Sequence, residues 1–138
     1  MQHKISMYLA WGIALFATAT SLIFSELLKY PPCSLCWYQR VFMYSAAVVI
    51  PTGILIQDKN VSKYALVLSV IGFIIAGYHS LIYHNVIGEV ITVCTEDLSC
   101  KTKQFELFGV LSIPAMSLLG FLGIAVLSFK GIIDEKRS

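Results

Sequence analysis

Hydrophobic residues run along this chain in long stretches broken by short polar segments. No charged residue occurs in the 21 positions from Ile5 to Ser25. The same holds for 16 residues from Val41 to Ile56, 25 from Tyr64 to Gly88 and 23 from Leu107 to Phe129. A helix needs roughly 20 apolar residues to cross the hydrocarbon core of a bilayer. Three runs meet that outright. The second meets it when Trp37 to Arg40 supply the first turn, with the Arg40 head snorkelling to the interface. The pattern predicts four transmembrane helices, at about 6–26, 38–57, 64–83 and 109–129. The expected fold is an all-α, four-helix membrane bundle forming a single domain over 1–138.

Composition strengthens this reading. The chain is 57% hydrophobic and only 13% charged, with a mean hydropathy of +0.77. A soluble domain would carry about twice that charged fraction. A net charge of +2 without any Lys/Arg-rich run excludes nucleic acid as the partner. Ala17-Thr18-Ala19 has the small-x-small shape of a signal-peptide cleavage site. It lies inside the first run, with Leu22, Ile23 and Phe24 still to follow, so the segment is expected to stay as a span.

Four spans put both termini on one side. Lys4, Lys59, Lys63, Lys130, Lys136 and Arg137 share that side, and Lys29, Arg40, Lys101 and Lys103 lie opposite. Cytoplasmic loops tend to hold the excess of Lys and Arg, which places both termini in the cytoplasm. Loop one (about 27–37) and loop three (about 84–108) then face outward. The polar turn Gln57-Asp58-Lys59-Asn60 makes the second and third helices antiparallel neighbours.

All four cysteines fall in the outward loops: Cys33 and Cys36 in loop one, Cys94 and Cys100 in loop three. The outside is also where disulfides form and persist. Charge and redox compartment therefore give the same orientation.

The first pair sits in Pro31-Pro32-Cys33-Ser34-Leu35-Cys36-Trp37-Tyr38-Gln39-Arg40. The prolines end the first helix, and the cysteines open the second. Amides at a helix start stabilise a thiolate, and Arg40, one turn beyond Cys36, adds a fixed positive charge on the same face. That is the environment of a reactive sulfur, and it suits an acceptor that becomes anionic on reduction. A structural disulfide and half of a zinc site are the alternatives. Four-cysteine zinc sites usually repeat one close spacing, whereas the second pair is Cys94-x5-Cys100.

Cys94-Thr95-Glu96-Asp97-Leu98-Ser99-Cys100 is a small polar ring of the labile, exposed kind. Val86, Ile87, Val90 and Ile91 upstream recur at helical spacing and fit a surface-lying segment, or a fraying end of the third helix. Two pairs on one face form a relay. The exposed pair takes electrons from a soluble protein, and the membrane-edge pair passes them to a lipid-soluble quinone. His79, a polar ring late in the third span, either contacts that quinone or hydrogen-bonds within the bundle. His79 and His84 stand five apart and make a poor metal or haem pair. Tyr8, Trp11, Trp37, Tyr38, Tyr64, Tyr78 and Tyr83 fit an interfacial aromatic belt, and Pro51 and Pro114 kink or start helices.

The stretch Pro32 to Arg40 resembles the P-C-x-L-C-x-x-[EQ]-R signature of the DsbB family of disulfide bond formation proteins. Phe108-Gly109-Val110-Leu111-Ser112-Ile113-Pro114 is similar to the family's approach to its last helix, and Tyr78-His79 to its histidine late in the third. The short second-pair spacing and small size look most like the BdbC branch of Gram-positive bacteria. The resemblance implies roles. Cys94 would form a mixed disulfide with a DsbA- or BdbD-like thioredoxin-fold partner, and Cys100 would resolve it. Electrons would reach Cys33–Cys36, Cys36 would meet the quinone as a thiolate, and Arg40 would stabilise both. The quinone would be menaquinone in the Gram-positive branch, with ubiquinone as the alternative. The place would be the bacterial cytoplasmic membrane.

Overall fold

The computed structural model describes residues 2–27, 34–83, 106–107 and 111–137. Four helices dominate them: α1 (Gln2–Glu26), α2 (Ser34–Leu55), α3 (Val61–Tyr83) and α4 (Ile113–Arg137). A two-residue antiparallel pair, β1 (Glu106–Leu107) with β2 (Leu111–Ser112), precedes α4. Lys4–Ile23, Val61–Ile82 and Ala115–Arg137 are long and apolar enough to cross a membrane. α2 is as long, but Gln39 and Arg40 near its start lower its apolar content, and it is not among those three.

Several predicted boundaries move, those of α2 and α4 the furthest. α2 starts at Ser34 rather than 38, so Cys36 lies inside its first turn. α4 starts at Ile113 rather than 109 and runs on to Arg137 rather than 129. The strand pair occupies part of the segment expected to be helical, and Pro114 fits the first turn, where no intrahelical N–H is needed. At the other end, Lys136 and Arg137 in the last turn favour continuation, because cations stabilise the carbonyl end of a helix.

The helices pack in a ring, each against its neighbours in the order α1, α2, α3, α4 and back to α1. Small side chains share the interior with a few large ones such as Ile50, Phe121 and Ile124. Ala10, Ala14, Ala46, Ala65 and Ala76 line the interior together with Ser62, Ser69 and Ser128. Phe16, Val48, Leu55 and Ile74 point outward. Small residues let helix backbones approach where lipid removes the hydrophobic drive for association, and large apolar ones face the lipid.

A tight turn joins α2 to α3. Asp58 N–H donates to Gly53 O (2.9 Å) and Gln57 N–H to Ile54 O (3.2 Å). This is a Schellman cap, with Gln57 in the left-handed region at φ 54°. Asn60 O then accepts from Tyr64 N–H (3.2 Å), which opens α3. Gly53 sits so close to Val61 that a Cβ on it would fall 2.3 Å from Val61 Cγ2. Gly53–Val61 at one end and Gln39–His79 at the other make α2 and α3 antiparallel neighbours, as expected.

Pro51 sits inside α2 and has no N–H to offer the carbonyl four residues back. That carbonyl, Ala47 O, accepts from Trp11 Nε1 of α1 at 3.2 Å. Trp11 thus turns inward rather than joining an interfacial belt, and the Tyr78 hydroxyl is likewise buried. Tyr8, Trp37, Tyr38 and Tyr64 are exposed.

Candidate functional site

The end of the bundle formed by the C-terminus of α1, the starts of α2 and α4 and the end of α3 carries the chemistry. Cys36 is the third residue of α2 and partly buried, packed against Leu35 and Ile82. At that position the unpaired amides of a helix start favour an anionic sulfur.

Arg40 follows one turn later. Its Nη2 donates to Ser21 O at 3.2 Å and to Ser25 Oγ. Both serines lie near the C-terminus of α1, where helix carbonyls attract a cation. The guanidinium carbon stands 5.6 Å from the centroid of the Trp37 ring, within cation–π range. The charge is thereby fixed rather than swinging into solvent.

Between α1, α2 and α4 lies a cavity of about 350 Å³, within the range of small-molecule sites. Its walls are mostly apolar, with Phe16, Met43, Leu119 and Phe121 among them. Cys36, Gln39, Arg40 and Tyr44 bring the polar groups from α2. Residues spaced by three and four share one helix face, so a single stripe of α2 supplies sulfur, amide, guanidinium and phenol. The Tyr44 hydroxyl is buried and has no hydrogen-bond partner among the described residues.

Gln39 also faces α3. Its Nε2 and His79 Nδ1 share a hydrogen bond at 2.9 Å. Both side chains are buried, at 5% and 3% exposure. His79 is not among the residues of the cavity wall; it stands one side chain behind it, through Gln39. Of the two roles open to it, hydrogen bonding within the bundle is the one the geometry displays.

Of the residues singled out from sequence, Cys36 and Arg40 meet on one wall, and His79 backs that wall. Cys33, Cys94, Cys100, the prolines at 31 and 32, and the 86–91 segment lie outside the described residues. Sequence reasoning passed over Gln39 and Tyr44 as cavity residues, although their helical spacing from Cys36 and Arg40 could have found them. Ser21 and Ser25 carried no comparable signal.

Comparison with known proteins adds the chemistry of relatives. The family model described as "Disulfide bond formation protein DsbB" matches residues 3–130. "Probable disulfide formation protein C 2" of Bacillus anthracis is 40% identical over 136 residues, covering 99% of this chain and 96% of the relative. "SPbeta prophage-derived disulfide bond formation protein B" of Bacillus subtilis (strain 168) is 36% identical, covering 97% and 90%. "Probable disulfide formation protein" of Metapseudomonas resinovorans is 38% identical over 88% and 85%. No solved structure matches the chain.

Proposed function

The chain belongs to the DsbB family of disulfide bond formation proteins, on its BdbC branch, and from that premise we propose that it is a quinone-dependent oxidase of protein dithiols. In this reading all four helices span the bacterial cytoplasmic membrane, with both termini cytoplasmic and both cysteine pairs outside. A reduced DsbA- or BdbD-like thioredoxin-fold partner attacks Cys94–Cys100 with a thiolate. Cys94 takes the mixed disulfide and Cys100 leaves as a thiolate; the partner's second thiol then closes the partner's disulfide, and two electrons have moved. Exchange between the pairs restores Cys94–Cys100 and leaves Cys33 and Cys36 reduced.

The observation that carries the reading is that Cys36 and Arg40 share one wall of an apolar cavity. The residues present fit a lipid-soluble quinone: mostly apolar walls suit its rings, and Cys36, Gln39 and Arg40 bring polar groups to the same cavity. A bound quinone supplies an acceptor for the two electrons and two protons released when two thiols become a disulfide. The chain's part is to bind, exclude water and hold charge. The α2 start and Arg40 keep Cys36 as a thiolate, and the same guanidinium offsets negative charge that develops beside it. Menaquinone is the acceptor proposed, with ubiquinone second.

The test is anaerobic mixing of oxidised protein and a quinone analogue with a reduced DsbA-like partner, followed by quinone absorbance. Stoichiometric reduction, lost in both Cys36→Ser and Cys94→Ser, is expected. Intact disulfides and unreduced quinone would overturn the proposal and leave structural disulfides as the reading.

A further inference from the structure

Arg40 is a part-buried cation held by neutral groups. Its Nη2 serves both Ser21 O and Ser25 Oγ, and its guanidinium stands over the Trp37 ring. Among the described residues, Nη1 and Nε have no hydrogen-bond partner. No carboxylate among those residues lines the cavity that Arg40 borders. Glu26, beside Ser25, is exposed. Asp58 lies in the α2–α3 turn, at the far end of α2, and Asp134 and Glu135 sit in the last turns of α4.

A cation that has left water without meeting a counter-charge favours an anion beside it. The planar fork of a guanidinium matches the paired oxygens of a carboxylate. The start of α2, with its unpaired amides, adds positive potential on the same side.

The rest of the cavity sets the other half of the ligand. Ile13, Phe16, Met43, Met116 and Leu119 make its walls mostly apolar. Phe16 is 75% exposed and Leu119 58%, so the walls run on to the outer surface of the bundle. A small hydrophilic anion would leave those walls uncovered, and a neutral hydrocarbon would leave Arg40 without a counter-charge. A single alkyl chain with a carboxylate head satisfies both.

We infer that the cavity binds an amphiphile of the fatty-acid class, its carboxylate on Arg40 and its chain along the α1 and α4 walls. This goes beyond the quinone reading and does not depend on it, since such a ligand carries no electrons. It covers the same walls as a quinone would, so each excludes the other.

The experiment uses oxidised full-length protein in a neutral detergent, without thiol or quinone, at a pH where the fatty acid is ionised. The probe is stearic acid with a nitroxide near its carboxylate, which quenches tryptophan fluorescence at short range. Trp37, beside Arg40, is the reporter. Saturable quenching is expected, with an affinity about tenfold or more above that of the probe's methyl ester. Arg40→Gln should bring the acid down to the level of the ester. Acetate at the same concentration should not displace the probe. Equal affinity for acid and ester in the wild-type protein overturns the inference, whether or not Arg40→Gln folds. Displacement by acetate overturns it too, because the apolar walls would then play no part. Quenching that survives intact in Trp37→Phe places the probe elsewhere and has the same force. None of these results bears on the quinone reading, which quinone absorbance decides.

Discussion

Trp11 donates its indole N–H to Ala47 O, the carbonyl that Pro51 leaves without a helical donor. A side chain of α1 thereby repairs a gap in the backbone ladder of α2. Removing a partner from a part-buried carbonyl costs about 1–3 kcal/mol. Trp11→Phe is expected to lower the unfolding midpoint in detergent. In a Pro51→Ala background, where the N–H returns, the same change should cost measurably less. Equal costs in the two backgrounds would separate Trp11 from the proline.

Gln39 and His79 predict a second non-additive pair. Each is buried, and each is the other's partner at 2.9 Å. Gln39→Leu or His79→Leu breaks this one bond, at about 1 kcal/mol, and replacing both breaks the same bond only once. The double variant should therefore be destabilised by less than the sum of the singles. Thermal unfolding of the four proteins measures this, and strict additivity would contradict it.

Arg40 makes its contacts with a planar fork that lysine lacks. Arg40→Lys keeps the charge but cannot hold Ser21 O, Ser25 Oγ and the Trp37 ring together. Loss of one charge-assisted bond, about 1.5–3 kcal/mol, is expected to lower the unfolding midpoint, and release of the fixed guanidinium to slow the proposed quinone reduction. Far-UV circular dichroism should show the helices retained. Full activity in Arg40→Lys would mean that charge alone suffices.

Gln57 adopts φ 54° at the cap of α2, a conformation that costs a side-chain-bearing residue about 1–2 kcal/mol and glycine little. Gln57→Gly is expected to raise the unfolding midpoint by an amount matching about 1 kcal/mol, without changing activity. A lower midpoint would show that the glutamine side chain stabilises the turn in some other way.

The helices were legible from the chain because each charge-free run is long and local. Where the reading slipped, the cause was not local. The start of α4 moved from 109 to Ile113 because a strand pair takes up residues whose hydropathy alone looks helical. Cys36 and Arg40 could be placed on one face because helical spacing is arithmetic. The pairing of Gln39 with His79 could not be read, since 40 residues separate them and either one alone is an ordinary polar residue in an apolar helix. Trp11 was assigned to an interfacial belt by residue type. Only the spatial neighbour Ala47, 36 residues away, turns it inward.

At the end of the bundle opposite Cys36, Ser62 Oγ of α3 reaches Met7 Sδ of α1 at 3.5 Å across the ring of helices. Met7, Ala10, Val61, Ser62 and Ala65 are all at most 2% exposed there. Among the described residues, the end of the bundle away from Cys36 is thus plugged by small and apolar side chains packed on one another across the ring of helices.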